Sequence, residues 1–125
     1  MKVLLDTHVL VWALTEPDRL SASARQAMEA SQIFVSVASL WEMILKKSKK
    51  DGLVQDPLPW WNRNIVGSGI HIVPILGRHV AIVDTMPELH KDPFDRILLA
   101  QAIVEGATIL SRDRALAAYG VPVIW

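Results

Sequence analysis

Met1-Lys2-Val3-Leu4-Leu5-Asp6-Thr7-His8-Val9-Leu10 is the stretch around which the other elements must be arranged. Val3, Leu4 and Leu5 are consecutive and apolar, without the alternation of a half-exposed strand, and so predict a strand covered on both faces. Asp6 ends that strand at once, and Thr7 opens a helical stretch. A carboxylate at the carboxyl end of a buried parallel strand lies where open α/β sheets bind their ligands. What matters next is whether other acids reach the same edge.

Working outward, residues 9–14 predict a short helix stopped by Glu16-Pro17-Asp18. Ser21 caps a second helix running to Ala30. Ile33-Phe34-Val35 is a second strand, and Ser36 caps a helix in which Ala38, Trp41 and Leu45 share one apolar stripe. Lys46, Lys47, Lys49 and Lys50 gather at the end of that helix, where cations suit the dipole, and Asp51-Gly52 closes it. Asp56 and Pro57 start a helix carrying Trp60 and Trp61, closed by Gly67 and Gly69. Residues 70–75 predict a third strand, 79–83 a short helix, and 85–91 a loop. Asp92-Pro93-Phe94-Asp95 opens a long helix to Glu105 with Gly106 as its stop. Thr108-Ile109-Leu110 is a fourth strand, 111–119 a helix and 121–125 a last strand. Strands alternating with helices predict an α/β fold, a three-layer α/β/α sandwich around a mostly parallel sheet of about five strands, as one domain over 1–125.

The 125 residues are 51% hydrophobic, enough for a full core. Thirteen Lys and Arg balance 13 Asp and Glu, so bulk charge speaks against a nucleic-acid binder unless the acids are collected in a metal site. There is no cysteine, which excludes disulfides, thiolate ligands and cysteine nucleophiles and suits a reducing cytoplasm. Asp6 and His8 interrupt the N-terminal apolar run, so no secretory leader is expected. No window approaches the roughly 18 uninterrupted apolar residues of a span, so no membrane association is expected either. Five tryptophans, Trp12, Trp41, Trp60, Trp61 and Trp125, exceed what a small core requires, and most are expected to be buried.

Each acid has a plain structural alternative. Asp6 can simply cap the helix that follows it. Asp92 as cap, Pro93 in the first turn and Asp95 three residues on resemble a variant capping box, and for Asp92 the cap is the preferred role. Glu42 sits inside Leu40-Trp41-Glu42-Met43-Ile44-Leu45. A pair with Lys46 one turn on offers it only a few tenths of a kcal/mol, so a carboxylate against a core wants a stronger partner such as a divalent cation. Asp113 in Ser111-Arg112-Asp113-Arg114 can be an ordinary first-turn charge. If strand four lies beside a central strand one, however, Asp6 and Asp113 face each other across the switch-point crevice. No His-Glu-x-x-His pair, nucleophile elbow or dinucleotide fingerprint is present, and His8 stands where an Asp-x-Asp phosphatase needs an acid.

The segments Leu4-Leu5-Asp6-Thr7-His8, Ser39-Leu40-Trp41-Glu42, His90-Lys91-Asp92-Pro93-Phe94-Asp95-Arg96 and Leu110-Ser111-Arg112-Asp113 resemble, in the same order, the PIN-domain nucleases. More narrowly they resemble the VapC-type toxins of toxin–antitoxin pairs. The resemblance implies a metal site built from Asp6, Glu42, Asp95 and Asp113, with Asp92 beside it as cap or outer acid. It places Ser111 where the family often has threonine, and it sets Thr7 near the phosphate or a metal-bound water. It implies one or two Mg²⁺ or Mn²⁺ ions, with Asp6, Asp95 and Asp113 as direct ligands and Glu42 as ligand or holder of a coordinated water. The implied activity is hydrolysis of RNA to leave a 5′-phosphate, in the cytoplasm. The implied partners are a second copy of the chain and an inhibitory antitoxin.

Such a pocket repels a polyanion unless basic groups surround it. Lys46, Lys47, Lys49, Lys50, Arg112 and Arg114 are candidates for phosphate contacts, against the alternative of a solvated surface. Arg96 is placed to orient the acids. Two other functions fit the same residues: a metal-dependent phosphatase on a similar sheet, and a non-catalytic binding module whose acids only cap helices.

Overall fold

The computed structural model describes residues 1–50 and 52–125, so the expected helix end at Asp51 lies outside the described residues. Five strands, β1 (Lys2–Leu5), β2 (Gln32–Ser36), β3 (His71–Val73), β4 (Thr108–Leu110) and β5 (Val123–Ile124), form one sheet in the order β3-β2-β1-β4-β5. All four pairings are parallel. β1 is central, with Leu4 opposite both Phe34 and Ile109. The chain runs outward from β1 through β2 to β3, then returns to the other side of β1 for β4 and β5. The switch point therefore lies between β1 and β4, at the carboxyl end of β1.

The apolar run of β1 is buried on both faces, with Val3 0%, Leu4 2% and Leu5 1% exposed. Strand alternation sends Val3 and Leu5 to one layer and Leu4 to the other. On the first side they meet α1 (Thr7–Thr15), α2 (Ala22–Glu29), α3 (Val37–Lys46) and α4 (Pro57–Asn64) through Leu10, Trp12, Ala27, Met43, Trp60 and Trp61. On the other side Leu4 and Ile109 pack against Leu98, Leu99 and Ala102 of α6 (Pro93–Glu105), with Ile82 and Val83 of α5 (Gly77–Thr85) alongside. Each buried Leu or Ile in these layers is worth about 1.5–3 kcal/mol relative to exposure. No helix among the described residues is long and apolar enough to cross a membrane.

Local signals govern most element ends. The Ser21 hydroxyl accepts from Ala24 N–H at 3.0 Å, and Gly106 takes the left-handed φ of 66° that stops α6 at the expected place. α1 begins at Thr7, which the sequence reads as opening a helical stretch, because Asp6 caps it. Five expectations change. β3 spans only His71–Val73, since Pro74 has no N–H to continue a ladder, and α5 is longer than the expected 79–83. The expected helix at 111–119 is a 3-10 turn over Arg114–Tyr119, and the last strand is the two residues Val123–Ile124. Of the expected apolar stripe of α3 only Ala38 is buried: Trp41 and Leu45 are 52% and 51% exposed, while Ser39, Glu42 and Met43 turn inward.

Candidate active site

Three aspartates begin helical turns at the carboxyl edge of the sheet, and each uses one oxygen as a cap. Asp6 Oδ1 accepts from His8 N–H at 2.8 Å and more distantly from Val9 N–H. Asp92 Oδ1 accepts from Phe94 N–H at 2.8 Å, and Asp113 Oδ1 from Ala115 N–H at 3.0 Å. A carboxylate has a second oxygen, and two of these are held by other side chains. The Ser111 hydroxyl donates to Asp6 Oδ2 at 2.6 Å and accepts from Asp113 N–H at 3.0 Å, so it joins the ends of β1 and β4. Asp113 Oδ2 lies 3.2 Å from His90 Nε2. Capping and membership of the cleft are thus simultaneous, because capping fixes the rotamer that aims the other oxygen.

Asp95 departs from the capping-box pattern. In a capping box its side chain would reach back to the Asp92 N–H. That N–H donates instead to His90 Nδ1 at 3.2 Å, and Asp95 Oδ2 lies 3.1 Å from His90 Nε2. Asp95 is released into the cleft. Arg96, expected to orient the acids, bonds to backbone carbonyls and a hydroxyl. Its guanidinium donates to the carbonyls of Val83, Met86, Pro87 and His90 and to the Tyr119 hydroxyl, clamping the loop before α6.

Glu42 is buried, 6% exposed, on the inward face of α3. The Thr7 hydroxyl donates to its Oε1 at 2.6 Å and lies 2.9 Å from Ser39 Oγ; Lys46 Nζ pairs with its Oε2 at 2.7 Å. Thr7 thus holds Glu42 while also lining the cleft. The Lys46 pair proves to be a short contact in a largely enclosed setting.

One cleft of about 260 Å³ is lined by Asp6, Thr7, His8, Trp12, Glu42, Lys46, Asp92, Asp95, Arg112 and Asp113. Arg112 stands over the Trp12 ring, 5.2 Å from its centroid, at the mouth of this cleft. Lys47 and Arg114 are exposed and do not line it. Burial, followed by the charges of Asp92 and Asp6, pushes the Asp95 carboxyl up to about 7; His90 opposes this and Glu42 adds to it. Such a shift marks a carboxyl whose ionised form is disfavoured, first by loss of water and then by the acids beside it. Converging carboxylate oxygens suit a hard divalent cation that keeps some of its waters.

This order of acids on this sheet has relatives. The sequence matches the PIN domain family over residues 3–122. The chain belongs to the PIN-domain family. Ribonuclease VapC22 of Mycobacterium tuberculosis is 32% identical over 123 residues, covering 96% of this chain and 93% of that protein. Among solved structures, VapBC2 from Rickettsia felis, bound to a DNA fragment from its promoter, superposes with a TM-score of 0.70. It is 19% identical and covers 99% of this PIN domain and 98% of that chain. FitAcB from Neisseria gonorrhoeae gives 0.71 at 18% identity, covering 98% and 96%. At these identities the two structures speak for the fold alone.

In this PIN domain the expected acids Asp6, Glu42, Asp92, Asp95 and Asp113 share one cleft with Thr7, Lys46 and Arg112. Ser111 touches two of the acids from beneath. His90, Tyr119 and Ser39 have no place in the sequence-based site. His90 stood in a quoted motif, but a single histidine gives no spacing signal. Tyr119 meets it across 29 positions, where its hydroxyl accepts from His90 N–H at 2.7 Å.

Proposed function

We propose that this PIN domain is a metal-dependent endoribonuclease that hydrolyses RNA phosphodiesters and acts as the toxin of a toxin–antitoxin pair. The observation that carries this is the convergence of acids from β1, α3, α6 and the end of β4 on one cleft, with Asp95 driven towards neutrality by burial first and by its acidic neighbours second. The 32% identity to a ribonuclease over nearly the full length supports the same activity. Asp6, Asp95 and Asp113 would hold Mg²⁺ or Mn²⁺, with Glu42 as a further ligand or as acceptor for a coordinated water. When bound, a cation of this class supplies an activated water at neutral pH and offsets charge on the leaving oxygen.

The chain's own groups do the positioning. Ser111 fixes Asp6 against Asp113, and Thr7 with Lys46 fixes Glu42. Three helical N-termini point partial positive charge at the acids that cap them. Arg112, braced on Trp12 at the cleft mouth, offers a charge for a phosphate next to the scissile one.

Incubation of the purified protein with total cellular RNA checks this. Cleavage leaving 5′-phosphate ends is expected with Mg²⁺ or Mn²⁺ and loss of cleavage with chelator. Undiminished cleavage in chelator, or hydrolysis of a small phosphomonoester with RNA left intact, would defeat the assignment.

The chain shares its fold with VapBC2 and FitAcB, which supports a reading in which an antitoxin is the protein partner. We also propose a homodimer. Trp41 is half exposed beside an apolar groove of about 380 Å³ lined by Ile75, Val80, Val83, Pro93 and Ile97, a surface suited to a second copy. Light scattering is expected to give twice the chain mass, and a monomer at micromolar concentration would count against pairing.

A further inference from the structure

We propose that His90 is the positioning residue of the acid cleft: its Nε2–H bridges the Asp95 and Asp113 carboxylates and sets the separation at which they take a divalent cation, without itself becoming a ligand. This rests on the metal-dependent assignment above and adds a residue which that assignment does not use.

One candidate ligand atom each from His90, Asp95 and Asp113 lie within 4.8 Å of one another, which alone suggests a His-Asp-Asp metal triad. The other ring nitrogen argues otherwise. His90 Nδ1 accepts the Asp92 N–H at 3.2 Å, so it must carry the lone pair. In a neutral imidazole the proton then resides on Nε2, which has no lone pair for a metal and donates to carboxylates instead. Nε2 finds Asp95 Oδ2 at 3.1 Å and Asp113 Oδ2 at 3.2 Å. A carboxylate oxygen that accepts one hydrogen bond retains a second lone pair, so both oxygens remain competent towards a cation.

The surroundings hold this ring firmly. The His90 N–H donates to the Tyr119 hydroxyl at 2.7 Å, and the His90 carbonyl accepts from Arg96 at 3.3 Å. The same guanidinium anchors the carbonyls of Val83, Met86 and Pro87 on the approach to His90. Asp95 on α6 and Asp113 after β4 come from separate elements. Among the described residues, His90 is the side chain found bonded to both. Carboxylates that ligate metals are themselves held by hydrogen bonds, and losing such a partner costs about 10–100-fold in metal affinity.

The test uses the full chain, with Mn²⁺ as probe. Calorimetry is run on the parent, His90→Ala and His90→Gln, and pulsed electron paramagnetic resonance on the Mn²⁺-loaded parent. His90→Ala is expected to weaken Mn²⁺ binding about 10–100-fold, and His90→Gln, which keeps an N–H donor, to recover most of it. The parent spectrum is expected to show no directly bound nitrogen. Equal affinity in parent and Ala variant overturns the proposal. So does a bound imidazole nitrogen in the parent spectrum, or a folded Gln variant as weak as Ala. The spectrum needs no variant, so the proposal stays open to refutation even if both substitutions prevent folding. A parent that binds no Mn²⁺ sinks the metal-dependent assignment and the His90 role together, whereas unchanged binding in His90→Ala removes only the latter.

Discussion

Asp95→Asn lowers metal-dependent RNA cleavage by at least about a hundredfold and leaves the protein folded. An outer hydrogen-bonding partner of a metal site is already worth about 10–100-fold, and Asp95 is proposed as a direct ligand. The substitution keeps side-chain volume and removes one negative charge from a cleft that holds four other acids. Its amide nitrogen cannot accept the hydrogen bond that Asp95 Oδ2 takes from His90. A matched change at Asp84, exposed on α5 and outside the cleft, is the control and should cleave like the parent. Initial rates in saturating Mg²⁺, with circular dichroism as the fold check, decide it. Cleavage by Asp95→Asn within tenfold of the parent removes Asp95 from the metal site.

The second large effect concerns stability and has the opposite sign. Asp95 titrates near 7 in the folded protein against 3.8 ordinarily, so between those values the folded chain binds more protons than the unfolded one. Stability from this group is therefore complete below about pH 4, falls as pH rises through about 7, and is level above that. The shift corresponds to at most about 4 kcal/mol, at 1.36 kcal/mol per unit. With the side chain 21% exposed, about 1–3 kcal/mol is the reasonable expectation. In chelator at pH 8, Asp95→Asn should melt several degrees above the parent, and the gap should close by pH 4. Mn²⁺ at about 100 times its dissociation constant should return about 2.7 kcal/mol to the parent. The variant should gain far less. Coincident melts of parent and variant at pH 8 without metal would show that Asp95 is not under strain from its neighbours. The acids that would bind the cation thus destabilise the protein without it, a common cost of an active site.

Several parts of this molecule were legible in the chain because their causes lie within a few residues. Asp92, Pro93 and Gly106 mark both ends of α6 through a cap, a ring that pre-sets φ and a left-handed turn. The unbroken Val3-Leu4-Leu5 run implied a strand buried on both faces, and the order of acids along the chain implied the family. β3 and β5 are shorter than the apolar runs imply, because ladder length depends on the neighbour's register and not on local propensity alone.

On α3 the local signal pointed the wrong way. Hydrophobicity placed Trp41 and Leu45 inward, but the inward face abuts the start of α1, where Thr7 and Ser39 make a polar seat for Glu42. Trp41 packs edge-on against Phe94 at the surface instead. Nor could the chain choose between cap and cleft for Asp6, Asp92 and Asp113. Folding shows that the choice is false, since one oxygen caps while the other remains for a second contact. His90 is the clearest case of a role set by tertiary structure. Its tautomer depends on a backbone N–H two residues away, its position on Arg96 and Tyr119, and its partners on two elements brought together by the sheet.

The amino-acid order by itself determined the layers, most helix ends and which acids were available, because these depend on burial, capping and turn geometry acting over a few residues. Only the strand order β3-β2-β1-β4-β5 decided that Asp6 and Asp113, 107 positions apart in the chain, would share one serine. That adjacency is a property of how parallel strands pack around β1, and no local interaction in either segment encodes it.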